Sequence, residues 1–223
     1  MLSKEYRDFY ERESERQSYM YSQRPDGYSH NRIRHIVNDL IKQILPKTYL
    51  DVGCAEGSYT QYAYECGAYS IGLDVSLRKL IKSRTRFKGV DCVCSDAQNL
   101  PFHDNSFEMV SALEVLEHLP SYEHAFDELF RVSGKYVIVS VPVGISSGAG
   151  HVNFFNKKDF EKWGVKHKLV MCYGVFTYFM PLRRTIAIMS FGIHRYLEFL
   201  DSLVCKMSFL KYTGTHIVLV FEK

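Results

Sequence analysis

The chain has 223 residues, a formal net charge of +3, 46% hydrophobic residues and 24% charged ones, which suits one folded α/β domain with some decoration. That composition excludes a largely disordered chain and a collagen-like or coiled-coil repeat. Six cysteines with no C-x-x-C spacing exclude a disulfide scaffold, and so small a positive excess does not mark a nucleic-acid binder.

Residues 1–30 are polar and aromatic. Tyr6, Phe9, Tyr10, Tyr19, Tyr21 and Tyr28 interleave with Arg7, Arg12, Arg16 and Arg24, and Pro25-Asp26-Gly27 signals a turn. The segment has too few aliphatics for a core of its own and is expected to dock on the main domain, residues 31–223. The opening residues lack the apolar run of a signal peptide, and no stretch reaches the roughly 18 apolar residues of a membrane span, so the expected location is cytoplasmic.

From residue 31 to 45, Ile33, Ile36, Val37, Leu40, Ile41 and Ile44 recur at helical spacing, and Pro46 ends the helix. Strand and helix patterns then alternate. Strands are predicted at 48–52, 69–73, 90–94, 107–112, 135–141, 168–172 and 216–221, and helices at 58–66, 77–87, 121–132 and 156–163. The alternation, with nearly unbroken apolar strands such as 136–141, predicts a doubly wound, mostly parallel sheet with helices on both faces. Arg78, Lys79, Lys82, Arg84, Arg86 and Lys88 read as a solvated basic helix face. Cys92 and Cys94 share one strand face and read as small buried hydrophobes. Residues 178–210 carry apolar positions such as Leu182, Ile186, Met189 and Ile193 at helical spacing, broken by charges. They predict a helical insert that packs on the core, with an apolar substrate roof or a peripheral membrane contact as the functional alternative.

The strongest motif is Leu50-Asp51-Val52-Gly53-Cys54-Ala55-Glu56-Gly57, a strand running into a glycine-bearing turn that opens a helix. Glycines at 53 and 57 let backbone approach a ligand, and the helix start offers unpaired N–H groups. Asp74 ends the second strand, where a carboxylate can accept both ribose hydroxyls. Asp96 ends the third, where it can accept from an adenine amine. Asp51, at the end of the first strand, would repel a pyrophosphate and attract an ammonium, and the turn lacks the full G-x-G-x-x-G spacing. Together these residues favour a cationic adenosine ligand over a dinucleotide.

These segments, with the GLD of 72–74, SDAQNLPF of 95–102 and SFEMVSALEVLEHLP of 106–120, resemble class I S-adenosylmethionine-dependent methyltransferases of the type that includes ubiquinone-pathway and other small-molecule enzymes. The resemblance spans about residues 45–142. It implies a seven-stranded sheet whose last strand is antiparallel, S-adenosyl-L-methionine as cofactor, and residues 1–30 as a lid. It implies that Asp51, Gly53, Cys54, Ala55 and Gly57 hold the methionine end. Asp74 and Val75 would take the ribose and adenine, Asp96 and Ala97 the adenine edge, and Leu113 and Glu114 would close the pocket at the amino acid part. Ala55 replaces a glycine frequent in the family, which leads to the expectation of an ordinary negative φ there. The acceptor is expected to be a small, hydrophobic or lipid-linked molecule methylated at oxygen. An RNA methyltransferase and a non-catalytic binding module are the alternatives.

Glu114, Glu117 and His118 form E-x-x-E-H, and His151 follows in Gly150-His151-Val152-Asn153. Similar groups with a later histidine occur in methyltransferases that use a divalent ion to position a hydroxyl, and carboxylate with imidazole suits such ions. LEHL-type sequences are also common in the family without a metal. The expectation is therefore no metal ligand, with His118 and His151 as candidate general bases.

Overall fold

The computed structural model describes residue 8 and residues 28–144, 150–175 and 216–223. The chain runs α1 (Tyr28–Ile44), β1 (Thr48–Val52), α2 (Ser58–Glu65), β2 (Tyr69–Asp74), α3 (Leu77–Arg86), β3 (Asp91–Cys94) and β4 (Phe107–Leu113). A 3-10 turn (Leu116–His118) follows, then α4 (Tyr122–Val132), β5 (Ser133–Pro142), α5 (Lys157–Lys166), β6 (Lys168–Val175) and β7 (His216–Glu222). The proposed lid, apart from residue 8 and residues 28–30, and the whole of 178–210 lie outside the described residues.

The sheet order is β3-β2-β1-β4-β5-β7-β6. The first five strands in this order are parallel, and β7 runs antiparallel to both β5 and β6. The last strand is thus the antiparallel one, as expected. Strand β6 continues to Val175 and α5 to Lys166, each three residues beyond the sequence pattern.

Alternation along each strand sends side chains to two cores. Leu50 and Val52 of β1, Val137 and Val139 of β5, and Leu219 and Phe221 of β7 point to the face covered by α4 and α5. Tyr49, Ile138, Val218 and Val220 point to the face covered by α1 and α2. Each fully buried aliphatic side chain stabilises the fold by about 1.5–3 kcal/mol. Helix α1 contributes Ile33, Ile36, Val37, Leu40 and Ile41, all buried, and ends where Leu45 turns to φ 48 before Pro46. Helix α5 starts in a capping box between Asn156 and Asp159.

Order reverses between β1 and β4: the chain passes from β1 outward to β2 and β3, then returns beside β1. Such a switch opens a crevice at the carboxyl ends of the strands. The two motifs that carry chemistry, 50–57 after β1 and 114–118 after β4, both lie there.

Candidate cofactor and catalytic site

The turn after β1 is pinned by its own backbone. Gly53 and Cys54 donate their N–H groups to the Leu73 carbonyl at 2.7 and 3.0 Å, and Gly57 N–H reaches the Cys54 carbonyl at 2.8 Å. The winding needs left-handed backbone at alternate residues: Gly53 at φ 72, Ala55 at φ 49 and Gly57 at φ 79. The expectation for Ala55 was therefore wrong. Its left-handed conformation, strained for an L-residue, aims its N–H at Asp74 Oδ2, 2.9 Å away. Gly72 is required for a different reason, because a Cβ there would lie 2.8 Å from Cys54 Sγ and 3.0 Å from Thr60 Oγ1.

Asp74 is buried, and its Oδ1 accepts the Ser76 N–H at 2.8 Å. Each carboxylate oxygen has two lone-pair directions, so this fixed carboxylate keeps room for hydroxyl donors. Val75 is half-buried beside it. Asp96 Oδ1 accepts the Gln98 N–H at 2.9 Å, an Asx turn that fixes the carboxylate after β3, and Ala97 is buried. Cys94, expected to be buried, is exposed, because β3 is the sheet's edge strand, and its Sγ lies 3.5 Å from the Val75 carbonyl.

Asp51 is 1% exposed. Thr60 Oγ1 donates to its Oδ2 at 2.9 Å and Ser111 Oγ donates to its Oδ1 at 3.1 Å. Since Ser111 gives its proton to Asp51, the Tyr49 hydroxyl must be the donor in the 2.6 Å contact with Ser111. Burial dominates these hydroxyl bonds and raises the Asp51 pKa to about 7.

After β4 the chain kinks at Glu114, φ 57. Its N–H donates to the Ser140 carbonyl at 3.0 Å, and Ser140 Oγ donates to its Oε1 at 2.8 Å. His216 Nε2 stands 3.3 Å from Oε2. Burial lifts Glu114 to about 7 and pushes Glu117 well above the usual carboxylate range, with help from the Glu114 charge. Leu113, half-buried, ends β4 on the α1/α2 side.

Glu117, His118 and His151 come together, each with a ligand-type atom within 4.8 Å of the others'. The two imidazoles pack edge to face with centroids 4.7 Å apart. His118 Nδ1 lies 3.1 Å from the Gly150 carbonyl; a carbonyl only accepts, so Nδ1 carries the proton and Nε2 is the basic nitrogen. That nitrogen faces Glu117 Oε1 at 3.9 Å. Burial lowers His118 to about 4 and His151 in the same direction. Among the described residues, Glu117 Oε2 and His151 Nδ1 are buried and find no hydrogen-bond partner. The segment carrying His151 is held because Val152 and Asn153 both donate to the Glu117 carbonyl, at 2.8 and 3.0 Å.

The structure therefore gathers every expected site residue at the carboxyl edge of adjacent strands. It adds Thr60, Ser111, Ser140 and His216, which the sequence reading did not single out. Ser111 and Ser140 left a signal, a hydroxyl inside each of the apolar runs 109–113 and 137–141; His216 left none. The basic helix face behaves as a solvated surface, with Lys82 and Arg86 facing Glu56.

A family described as a methyltransferase domain matches residues 50–138. An uncharacterized protein of Methanocaldococcus jannaschii is 27% identical over 191 residues, 80% of each chain. A demethylmenaquinone methyltransferase of Renibacterium salmoninarum is 31% identical over 110 residues, 48% of this chain and 46% of that one, so the likeness spans less than half of that enzyme. Among solved structures, a methyltransferase in complex with the Trm112 methyltransferase activator of Haloferax volcanii superposes with a TM-score of 0.65 at 13% identity, over 97% of this chain and 96% of that one; this likeness is one of fold. The turn, the acidic positions and the strand order all agree with this match of residues 50–138 to a methyltransferase domain.

Proposed function

We propose that the chain moves a methyl group from S-adenosylmethionine to an oxygen atom of a small hydrophobic acceptor. The observation that carries this reading is the Glu117, His118 and His151 cluster, at the same carboxyl edge of the sheet as the glycine-bearing turn. A sulfonium is already an activated donor, so a protein must chiefly align the acceptor and deal with its proton. In the step, the acceptor oxygen bonds to the methyl carbon, the carbon–sulfur bond breaks, and the sulfur keeps the electron pair as a neutral thioether. The hydroxyl proton needs a basic nitrogen, and His118 Nε2 and His151 Nδ1 are the candidates.

The same three residues fit a divalent ion. Two neutral imidazoles and a carboxylate form a donor set suited to first-row metals, and the orphaned Glu117 oxygen and His151 nitrogen are left without partners otherwise. Such an ion would supply Lewis acidity that lowers the pKa of a bound hydroxyl. The residues' part is to hold it: the Gly150 carbonyl fixes the His118 tautomer, as the outer partner of a ligating histidine does.

Support for an apolar acceptor comes from the relative named a demethylmenaquinone methyltransferase and from Val152 and Phe154, which follow His151 in the chain and are about half exposed. The apolar periodicity of 178–210 is compatible with a lipid-linked substrate or a membrane surface. The test is to incubate the protein with labelled cofactor and three acceptor pools: hydrophobic phenols and quinols, soluble sugars, and mixed RNA. Methylation confined to the first pool is the expected result. Methylation of RNA alone would replace this reading by the RNA one, and none in any pool, with the cofactor bound, would favour a binding module. Exhaustive chelation, then readdition of manganese or zinc, separates metal from histidine base: activity unchanged by chelation rejects the metal.

A further inference from the structure

Glu114 holds a backbone conformation that a side chain with a Cβ resists, and it does so at the tip of β4 in contact with two other strands. Strained residues persist only where their surroundings over-determine them. Here the surroundings are specific. Ser140, wholly buried on β5, receives the Glu114 N–H at its Oγ, 3.1 Å away, and returns its own proton to Oε1 at 2.8 Å. His216, the first residue of β7, faces the other oxygen at 3.3 Å. In the sheet His216 sits beside Pro142 and Ser140 beside Val218, so the two partners occupy one face of neighbouring strands, two residues apart. Among the described residues, these two strand side chains hold the carboxylate, one at each oxygen. A carboxylate has about four lone-pair directions, and one donor on each oxygen leaves the remaining directions for a ligand.

The next residue extends the effect. Val115 lies so close over the cofactor turn that a Cβ on Gly53 would meet its Cγ2 at 2.4 Å. Fixing Glu114 therefore also fixes the surface against which the turn of residues 53–57 rests. Among the described residues, the groups that face Glu114 are Ser140 and His216, with the Glu117 carboxylate and the Tyr59 hydroxyl in electrostatic reach. His216 is the one side chain in this set that can carry a positive charge.

We infer that Ser140 and His216 are positioning residues that act through Glu114: they present its carboxylate to the α-ammonium of the cofactor and so set how strongly the amino acid end of the cofactor is bound. The inference rests on S-adenosylmethionine being the cofactor. It adds a discriminating element from the last strand, 102 residues from Glu114.

The test compares two ligands by calorimetric titration of the full chain. S-adenosylmethionine carries the amino acid part, and 5′-methylthioadenosine lacks it. His216→Leu and Ser140→Ala are expected to weaken S-adenosylmethionine about tenfold and to change 5′-methylthioadenosine by less than twofold. His216→Gln, which keeps an N–H donor near the same place, is expected to recover most of the lost affinity, and Glu114→Gln to reproduce the loss. If both ligands weaken equally in the folded variants, or if His216→Gln is as poor as His216→Leu, the inference is overturned. Should His216→Leu fail to fold, Ser140→Ala and Glu114→Gln still decide it by the same ratio. Absence of S-adenosylmethionine binding in the unaltered protein would be a failure of the cofactor assignment, a result distinct from an unchanged ratio.

Discussion

Ala55 carries a cost that a glycine would not. Left-handed backbone costs an L-residue about 1–2 kcal/mol, and glycine gives back roughly 0.4–1 kcal/mol through greater freedom of the unfolded chain. Ala55→Gly is therefore expected to raise the unfolding free energy by about 0.5–1 kcal/mol in urea titrations, with the Asp74 bond intact. A fall in stability would mean that the Ala55 methyl makes contacts worth more than the strain. Gly72 gives the opposite case. Its Cβ position is closed by Cys54 and Thr60, and Thr60 is a hydrogen-bond donor to Asp51. Gly72→Ala should cost about 1–3 kcal/mol and weaken the cofactor, since the displaced Thr60 loosens the Asp51 carboxylate. Retained cofactor affinity in that variant would show that the Asp51 network is not needed to shape the site.

The loop between β3 and β4 is long, and one side chain of α4 ties it down. Arg131 donates to the Phe102 and Leu100 carbonyls at 2.8 and 3.0 Å and to Asp104 at 2.9 Å, while Glu128 accepts from it and from the Leu100 N–H at 2.8 Å. The ion pairs alone are partly solvated and worth little, but loss of the guanidinium leaves backbone carbonyls without donors. Arg131→Met is expected to lower stability by about 2 kcal/mol, with amide exchange rising first at Leu100–Asp104; uniform loss of protection would argue against a local clasp. The sequence pattern located this helix because it buries one apolar face at a period of 3.6, and its neighbouring strands because, buried on both faces, they read as nearly unbroken apolar runs. The place of the glycine-bearing turn was legible for a related reason: Gly53, Asp74 and Asp96 stand at or just past strand ends, and strand ends were predictable. The conformation of Ala55 was not, because residue type gives odds on φ while the hydrogen bonds of the turn decide it. Nor was the partnership of Glu114 with His216, since it depends on β7 entering between β5 and β6, an order that local periodicity does not encode.

At the scale of the whole molecule, the carboxyl edge of the sheet collects acids that burial holds partly protonated and histidines that burial holds neutral. The two classes pull stability in opposite directions with pH. Asp51 and Glu114, each raised to about 7, bind more protons folded than unfolded between roughly pH 4 and 7, so their contribution to stability falls as pH rises through that window. His118, lowered to about 4, binds fewer protons folded than unfolded between about 4 and 6.5, so its contribution falls as pH drops. The ligand-free protein is thus squeezed from both sides. A ligand that brings positive charge changes the balance on the acid side only. S-adenosylmethionine arrives with a sulfonium and, below the α-amino pKa of about 8, an ammonium; both favour ionised Asp51 and Glu114. Binding at pH 6.5 should therefore release about one proton. Titration calorimetry in two buffers of different ionisation enthalpy measures it directly, as the difference in apparent binding enthalpy divided by the difference in buffer enthalpy. Near pH 8.5 the acids are already ionised and the free ligand's amine is largely neutral, so the sign should reverse and protons be taken up. 5′-Methylthioadenosine, with neither positive centre, should release close to none at either pH, and Asp51→Asn should reduce the release at pH 6.5. Equal proton release for the two ligands would detach the raised acids from cofactor recognition and leave their protonation a consequence of burial alone.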